Sequence, residues 1–221
     1  MLKSLRPIEM LPARERVASA LRKAIMSQYF RKGEELSIDK VAAMLGVSAT
    51  PVREAYQILS SEGLIKLRPN KGAIVIGMNE KWVRDHFGVR AVLEAEAARL
   101  TAIRATDISS LEQIVTKSGN LIEDGDYSSY ADLNQAFHLA IWNLCGNEKL
   151  KSMVSNLWNG LSLGARVTVE DYARISITEH IEIFHRIEEK DGDGAYRLMY
   201  KHIIRSMESM LTHLSEEESG N

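Results

Sequence analysis

The stretch Val47-Ser48-Ala49-Thr50-Pro51-Val52-Arg53-Glu54-Ala55 constrains the chain more than any other. Ser48 or Thr50 can cap a helix there, because a side-chain oxygen accepts a backbone N–H that has no partner within the helix. Pro51 suits a first helical position, where a missing N–H costs nothing. Val52, Ala55, Tyr56 and Leu59 follow at spacings of three and four and make one apolar face. Ser48, Thr50 and Arg53 occupy the other face near the amino end, and all three can bond phosphates or base edges. Just upstream, Val41-Ala42-Ala43-Met44-Leu45 is a short helical pattern stopped by Gly46. Two short helices around a glycine-containing turn, the second polar at its amino end, predict a helix-turn-helix.

The flanking segments extend this unit. Residues 12–30 read as a helix with Val17, Leu21, Ala24 and Ile25 on one side, followed by the polar break Arg31-Lys32-Gly33-Glu34-Glu35. After the second helix, Leu64–Arg68 and Ala73–Ile76 are β-prone runs around Pro69-Asn70-Lys71-Gly72, which predicts a hairpin. A hairpin placed directly after a recognition helix is a wing. Its tip is basic, and Gly72 lets backbone approach a groove wall. Charge agrees with this placement. Residues 1–77 hold 13 Lys and Arg against 7 Asp and Glu, whereas residues 78–221 hold 15 against 23. Only the front half is therefore expected to meet a polyanion.

From Lys81 onward no strand pattern appears. Helices are expected at about 80–104, 107–124, 127–145, 147–168, 171–190 and 193–214, broken at Ala105-Thr106-Asp107, Asp124-Gly125-Asp126, Cys145-Gly146-Asn147 and Asp191-Gly192-Asp193-Gly194. Gly160 and Gly164 predict a kink or a split in the fourth. The expected fold class is thus mainly α. A winged helix-turn-helix occupies residues 8–77 and a linker 78–80. An antiparallel six- to seven-helix bundle follows over 81–214, then a flexible tail over 215–221. No apolar run is long enough to span a membrane, and Met1–Pro7 lacks the apolar core of a secretion signal. The single cysteine, Cys145, has no internal disulfide partner, which fits a reducing cytoplasm.

In this order the residues resemble a GntR-type transcription regulator. The matching positions are Leu36, Val41-Ala42, Leu45-Gly46-Val47-Ser48, Thr50-Pro51-Val52-Arg53-Glu54-Ala55, Glu62-Gly63-Leu64 and Asn70-Lys71-Gly72-Ala73. The back half resembles the all-helical FCD effector domain of the FadR branch. The resemblance implies a cytoplasmic homodimer that binds double-stranded operator DNA and responds to a small metabolite, with DNA contacts from Ser48, Thr50, Arg53, Lys71 and Gly72. Two positions depart from the family pattern. Ala49 stands where an arginine is common, and Asp39 lies near a position that is commonly basic. An arginine reads guanine bidentately, worth roughly 1–3 kcal/mol of discrimination, and alanine can only touch a thymine methyl.

Six histidines remain to be placed. Asn134 and His138 are four apart on one expected helix and point nearly the same way. His180 and His202 flank the Asp-Gly-Asp-Gly turn, 11 residues before Asp191 and 8 residues after Gly194. Antiparallel packing would bring them to about the same height. Spacing alone leaves two readings open: three histidines hydrogen-bonded in a polar core, or three ligands of a divalent metal. The family resemblance implies the metal, with Asn134, His138, His180 and His202 as ligands and Asn134 in place of the usual aspartate. A site of three imidazoles and a neutral fourth group suits zinc or nickel. Arg90 and Glu94 match the family's Arg-x-x-x-Glu pattern. Arg90 either meets a carboxylate effector or simply pairs with Glu94 along the helix. Trp142 and Trp158 are expected in the core, and His86, His185 and His213 in structural or exposed places.

Three function classes are compatible with these features: a metabolite-responsive DNA-binding regulator, with repression as the expected sign; a regulator that senses the metal ion itself; and a metal-dependent hydrolase. The hydrolase needs a general base near the histidines, and no carboxylate is spaced along the sequence to supply one.

Overall fold

The computed structural model describes residues 12–26, 29–69, 71–158 and 169–219. The expectations for Met1–Pro7, for Asn70 at the wing tip, for Gly160 and Gly164, and for the side chain of His213 lie outside them. The chain divides into two compact units, Met1–Met78 and Asn79–Asn221. The boundary falls within two residues of the expected linker.

The first unit runs α1 (Ala13–Met26), β1 (Glu35–Leu36), α2 (Ile38–Leu45), α3 (Ala49–Ser61), β2 (Ile65–Arg68) and β3 (Gly72–Val75). Its core joins Val17, Leu21 and Ile25 of α1 to Val41 of α2 and to Val52, Ala55, Tyr56 and Leu59 of α3. Gly46 ends α2 in the left-handed conformation, with φ of 63°. Ser48 takes the N-cap of α3 without a side-chain cap hydrogen bond. Pro51 therefore stands third in the helix rather than first, still inside the first turn where backbone N–H groups have no helical acceptor. Arg22 reaches across from α1 to Glu62 just past α3, with Nε and Nη2 donating to its two carboxylate oxygens at 2.9 and 2.5 Å.

The wing differs from the expected hairpin in one respect. Glu35 and Leu36 add a short strand, so the described sheet is three-stranded in the order β1-β3-β2, all antiparallel. Two residues carry too little alternation to signal a strand in sequence. The closeness of β1 explains Gly72: its φ is +91°, and a Cβ there would lie 2.1 Å from the Leu36 carbonyl oxygen. Only glycine fits.

The second unit holds six described helices: α4 (Glu80–Arg104), α5 (Ser109–Asp124), α6 (Tyr130–Leu144), α7 (Glu148–Leu157), α8 (Val169–Glu188) and α9 (Gly192–Ser219). The stretch expected as a tail is helical as far as Ser219, for no glycine or proline interrupts it before Gly220. α4 is the central rod and packs against α6, α7, α8 and α9. Its alanines at 91, 95, 97, 98 and 102 are all buried, and such small side chains let neighbouring helices approach closely. α8 and α9 face each other with Ser176, Ile177, His180, Ile183 and Phe184 against Met199, His202, Ile203 and Ser206, all buried. No helix among the described residues is long and apolar enough to cross a membrane.

Candidate functional site

In the first unit the exposed face of α3 and the wing border one groove of about 710 Å³. Arg53 of α3 and Lys71 and Gly72 of the wing line it, together with Gln57, Asp39 and Arg68. Ser48 and Thr50 lie at the amino end of α3, both exposed and outside that lining. Sequence reasoning missed Gln57 and Arg68. Gln57 is four residues after Arg53 on the same face, a spacing that could have drawn attention to it. Arg68 closes β2 and is held by an ion pair to Glu35 of β1, so its placement depends on the strand that sequence did not reveal. Asp39 brings a negative charge into an otherwise basic groove.

In the second unit His138 of α6, His180 of α8 and His202 of α9 converge. All three are buried, and their candidate ligand nitrogens lie within 4.8 Å of one another. The antiparallel register expected across the Asp-Gly-Asp-Gly turn is met, with His180 Nε2 3.3 Å from His202 Nε2. Each ring is oriented by a partner behind it. His138 Nδ1 lies 2.5 Å from Glu94 Oε2, and His202 Nδ1 lies 2.7 Å from Glu179 Oε2. His180 is instead stacked on Phe137, with centroids 3.9 Å apart and planes within 14°. A carboxylate on Nδ1 fixes the N–H there and leaves the lone pair on Nε2, the tautomer a metal needs.

Both carboxylates are themselves paired. Glu94 accepts from Arg90 one helical turn away, in a short buried ion pair. Burial alone would raise the Glu94 carboxyl, but Arg90 and His138 together hold it at about 2. Glu179 accepts from Arg205 Nε at 2.8 and 2.9 Å. Burial opposes its charge too, yet His202 and Arg205 keep it below the usual range. The imidazoles move the other way. Burial holds His180 well below its ordinary value, reinforced by the neighbouring rings, and brings His202 to about 4 against the pull of Glu179. Neutral imidazoles are what a metal ion binds. The donor set therefore fits zinc or nickel: three converging nitrogens, two of them backed by carboxylates.

Neither Glu94 nor Glu179 was singled out from sequence as a partner of these rings. Each reaches its histidine from a different helix, so no local spacing encodes the contact. Arg90 realises the intrahelical pair with Glu94, and it also lies over the Trp158 ring at 4.5 Å. A small cavity of about 10 Å³ beside the histidines is lined by Phe87, Arg90, Asn134, His138, Trp158 and His202, among others. Trp142 is buried as expected, but Trp158 is part of this cavity wall. The indole N–H groups of Trp142 and Trp158 have no hydrogen-bond acceptor among the described residues. His86 stacks on Trp82 and His185 is exposed, as expected.

A winged helix-turn-helix followed in the chain by an all-helical domain defines a two-domain type of transcription regulator. The chain belongs to the GntR family of bacterial regulatory proteins, whose model matches residues 13–75, and it carries an FCD domain over residues 85–205. It is 27% identical over 206 residues to the HTH-type transcriptional repressor RspR of Escherichia coli (strain K12), covering 90% of this chain and 89% of the relative. It is 34% identical over 179 residues to the gluconate operon transcriptional repressor of Bacillus subtilis (strain 168), covering 78% and 70%. The solved structure of E. coli McbR/YncC has the same fold, with a TM-score of 0.69 at 22% identity, covering 93% of this chain and 100% of that one. The protein is a DNA-binding transcription regulator and not an enzyme.

Proposed function

We propose that this regulator is a homodimeric repressor whose operator affinity is set by a small organic acid held in the helical domain beside a divalent metal, zinc or nickel. The convergence of three buried imidazoles, two of them backed by carboxylates, is the observation that carries this reading. His138, His180 and His202 would hold the ion. When bound, it supplies a positive charge that attracts a carboxylate, and the Arg90 guanidinium in the cavity wall adds a second. Repression is the role of the relatives RspR and the gluconate operon repressor, and is carried over from them.

At the DNA, Arg53 of α3 reads base edges while Ser48, Thr50, Lys71 and Gly72 hold backbone phosphates. Two heads on a palindromic operator require two copies of the chain. One stripe of α4 supports that assembly: Val89, Val92 and Ile103 are exposed on the same face, with the Glu96–Arg99 ion pair between them. A second copy of the stripe, turned by a two-fold axis, would meet apolar with apolar and acid with base. The acid acts only through unequal affinity for the DNA-bound and DNA-free arrangements.

The reading is tested by titrating operator DNA, selected from a random library, with chelator-treated protein, then adding zinc, then zinc with a pool of small carboxylic acids. An affinity change that needs both metal and acid is expected. A change with metal alone would identify a direct metal sensor, and no change under any condition would remove the ligand-controlled reading.

A further inference from the structure

Asn134 sits four residues before His138 on α6 and lines the same cavity as Arg90, His138 and His202. Which end of its amide faces that cavity follows from the hydrogen bond it accepts from Tyr130. Arg205 has only donors to offer, and its Nη2 donates to Ser176 Oγ at 2.7 Å. Ser176 is thereby an acceptor toward Arg205 on the neighbouring helix. Tyr130 donates to Asn134 Oδ1 at 3.4 Å. The carbonyl oxygen of Asn134 is left facing Tyr130, and its NH2 group is turned to the other side.

An amide nitrogen has no lone pair for a metal, and its hydrogens seek an acceptor. Two other groups in the cavity wall are donors as well. Arg90 is a pure donor, and the buried Trp158 indole N–H has no acceptor among the described residues. Of the other two hydroxyls in the wall, Tyr172 donates to Ser206 Oγ at 3.1 Å and Ser206 donates to the His202 carbonyl oxygen at 3.0 Å. The enclosed space, about 10 Å³, is that of a single water-sized group.

We infer that Asn134 is a recognition residue for an oxyanion and not the fourth ligand of the metal. The inference rests on the metal reading above: three imidazoles hold the ion, and the position beside it belongs to an oxygen of the effector, bonded by Asn134 and Arg90. The ligand class is a small carboxylate presenting one oxygen to this wall. A neutral Asn134 also leaves the charge of the ion undiminished on that side, because Glu94 and Glu179 are each matched by an arginine. An aspartate in its place would hold the metal and repel the acid.

The test uses full-length protein stripped with a chelator, with cobalt(II) as a coloured substitute ion and acetate as the probe anion. Wild type is expected to take up cobalt and to change its visible spectrum saturably with acetate. Asn134→Ala should keep cobalt affinity within about threefold and lose roughly tenfold or more in acetate affinity, the effect of a removed hydrogen bond to a charged group. Asn134→Asp, nearly the same shape, should bind cobalt roughly tenfold tighter, as an added carboxylate ligand predicts, and acetate at least as much weaker. A tenfold loss of cobalt affinity in Asn134→Ala would make Asn134 a ligand and overturn the inference. So would a cobalt spectrum indifferent to acetate, or acetate affinity unchanged in either variant. Failure of wild type to bind cobalt at all would overturn the metal reading itself, and that is seen before any acetate is added.

Discussion

His180 Nε2 and His202 Nε2 lie 3.3 Å apart, although the two residues are separated by a whole helix-turn-helix hairpin of α8 and α9. Both rings are buried and both are held neutral. Two neutral imidazoles with facing nitrogens can share only one hydrogen bond, whereas an ion between them and His138 would use all three lone pairs.

Chelator-treated protein should accordingly take up about one Zn²⁺ or Ni²⁺ per chain, and His138→Ala should abolish the uptake. Bound at a thousandfold excess over its dissociation constant, the ion would stabilise the domain by about 4 kcal/mol. Elemental analysis and thermal melting with and without the ion measure this. A wild-type melting temperature insensitive to divalent ions, with no metal found, would contradict it.

Glu179 fixes the ring of His202 from behind, its carboxylate 2.7 Å from Nδ1. Glu179→Gln should keep the fold, since Arg205 retains its bond to Ser176, but should cost roughly 10- to 100-fold in metal affinity, as outer partners of metal ligands do. Competition with a chromophoric chelator reads the change. An unaltered affinity would show that His202 is oriented by packing alone.

On the DNA side the two charged members of the groove should act with opposite sign. Arg53→Ala is expected to lower operator affinity about tenfold or more at fixed salt, the scale of one lost bidentate base contact. Asp39→Asn should raise it, most clearly at low ionic strength, because a carboxylate in the same groove repels phosphate. Mobility-shift titrations at two salt concentrations separate the effects. Equal affinities for wild type and Arg53→Ala would take α3 out of base reading.

Gly72→Ala should unsettle the wing. The new methyl would meet the Leu36 carbonyl oxygen at 2.1 Å, in a backbone conformation that alanine rarely adopts. Strain of this kind costs on the order of 1–3 kcal/mol. Melting of the isolated transition of the DNA-binding unit should fall, and operator affinity with it. A variant as stable as wild type would mean that β1 moves aside freely.

Which of these features were legible in the sequence follows from their range. The recognition helix, its glycine stop and the wing are written in residues a few positions apart, and so is the pairing of Arg90 with Glu94. The meeting of His180 and His202 was readable because a tight turn lies between them at comparable distances. β1 was not, since two residues show no period. Glu94 behind His138 and Glu179 behind His202 were not either, because each contact crosses between helices.

The central rod α4 has one further consequence. It starts at Glu80, two residues past the boundary at Met78, and runs unbroken to Arg104 with Glu94 against His138 near its middle. Fourteen residues of helix separate Glu80 from Glu94, about 21 Å. A tilt of ~5° pivoting at Glu94 would move the first turn by about 2 Å. The histidine cluster thus holds this rod near its middle, and the rod's first turn is two residues from the chain boundary at Met78.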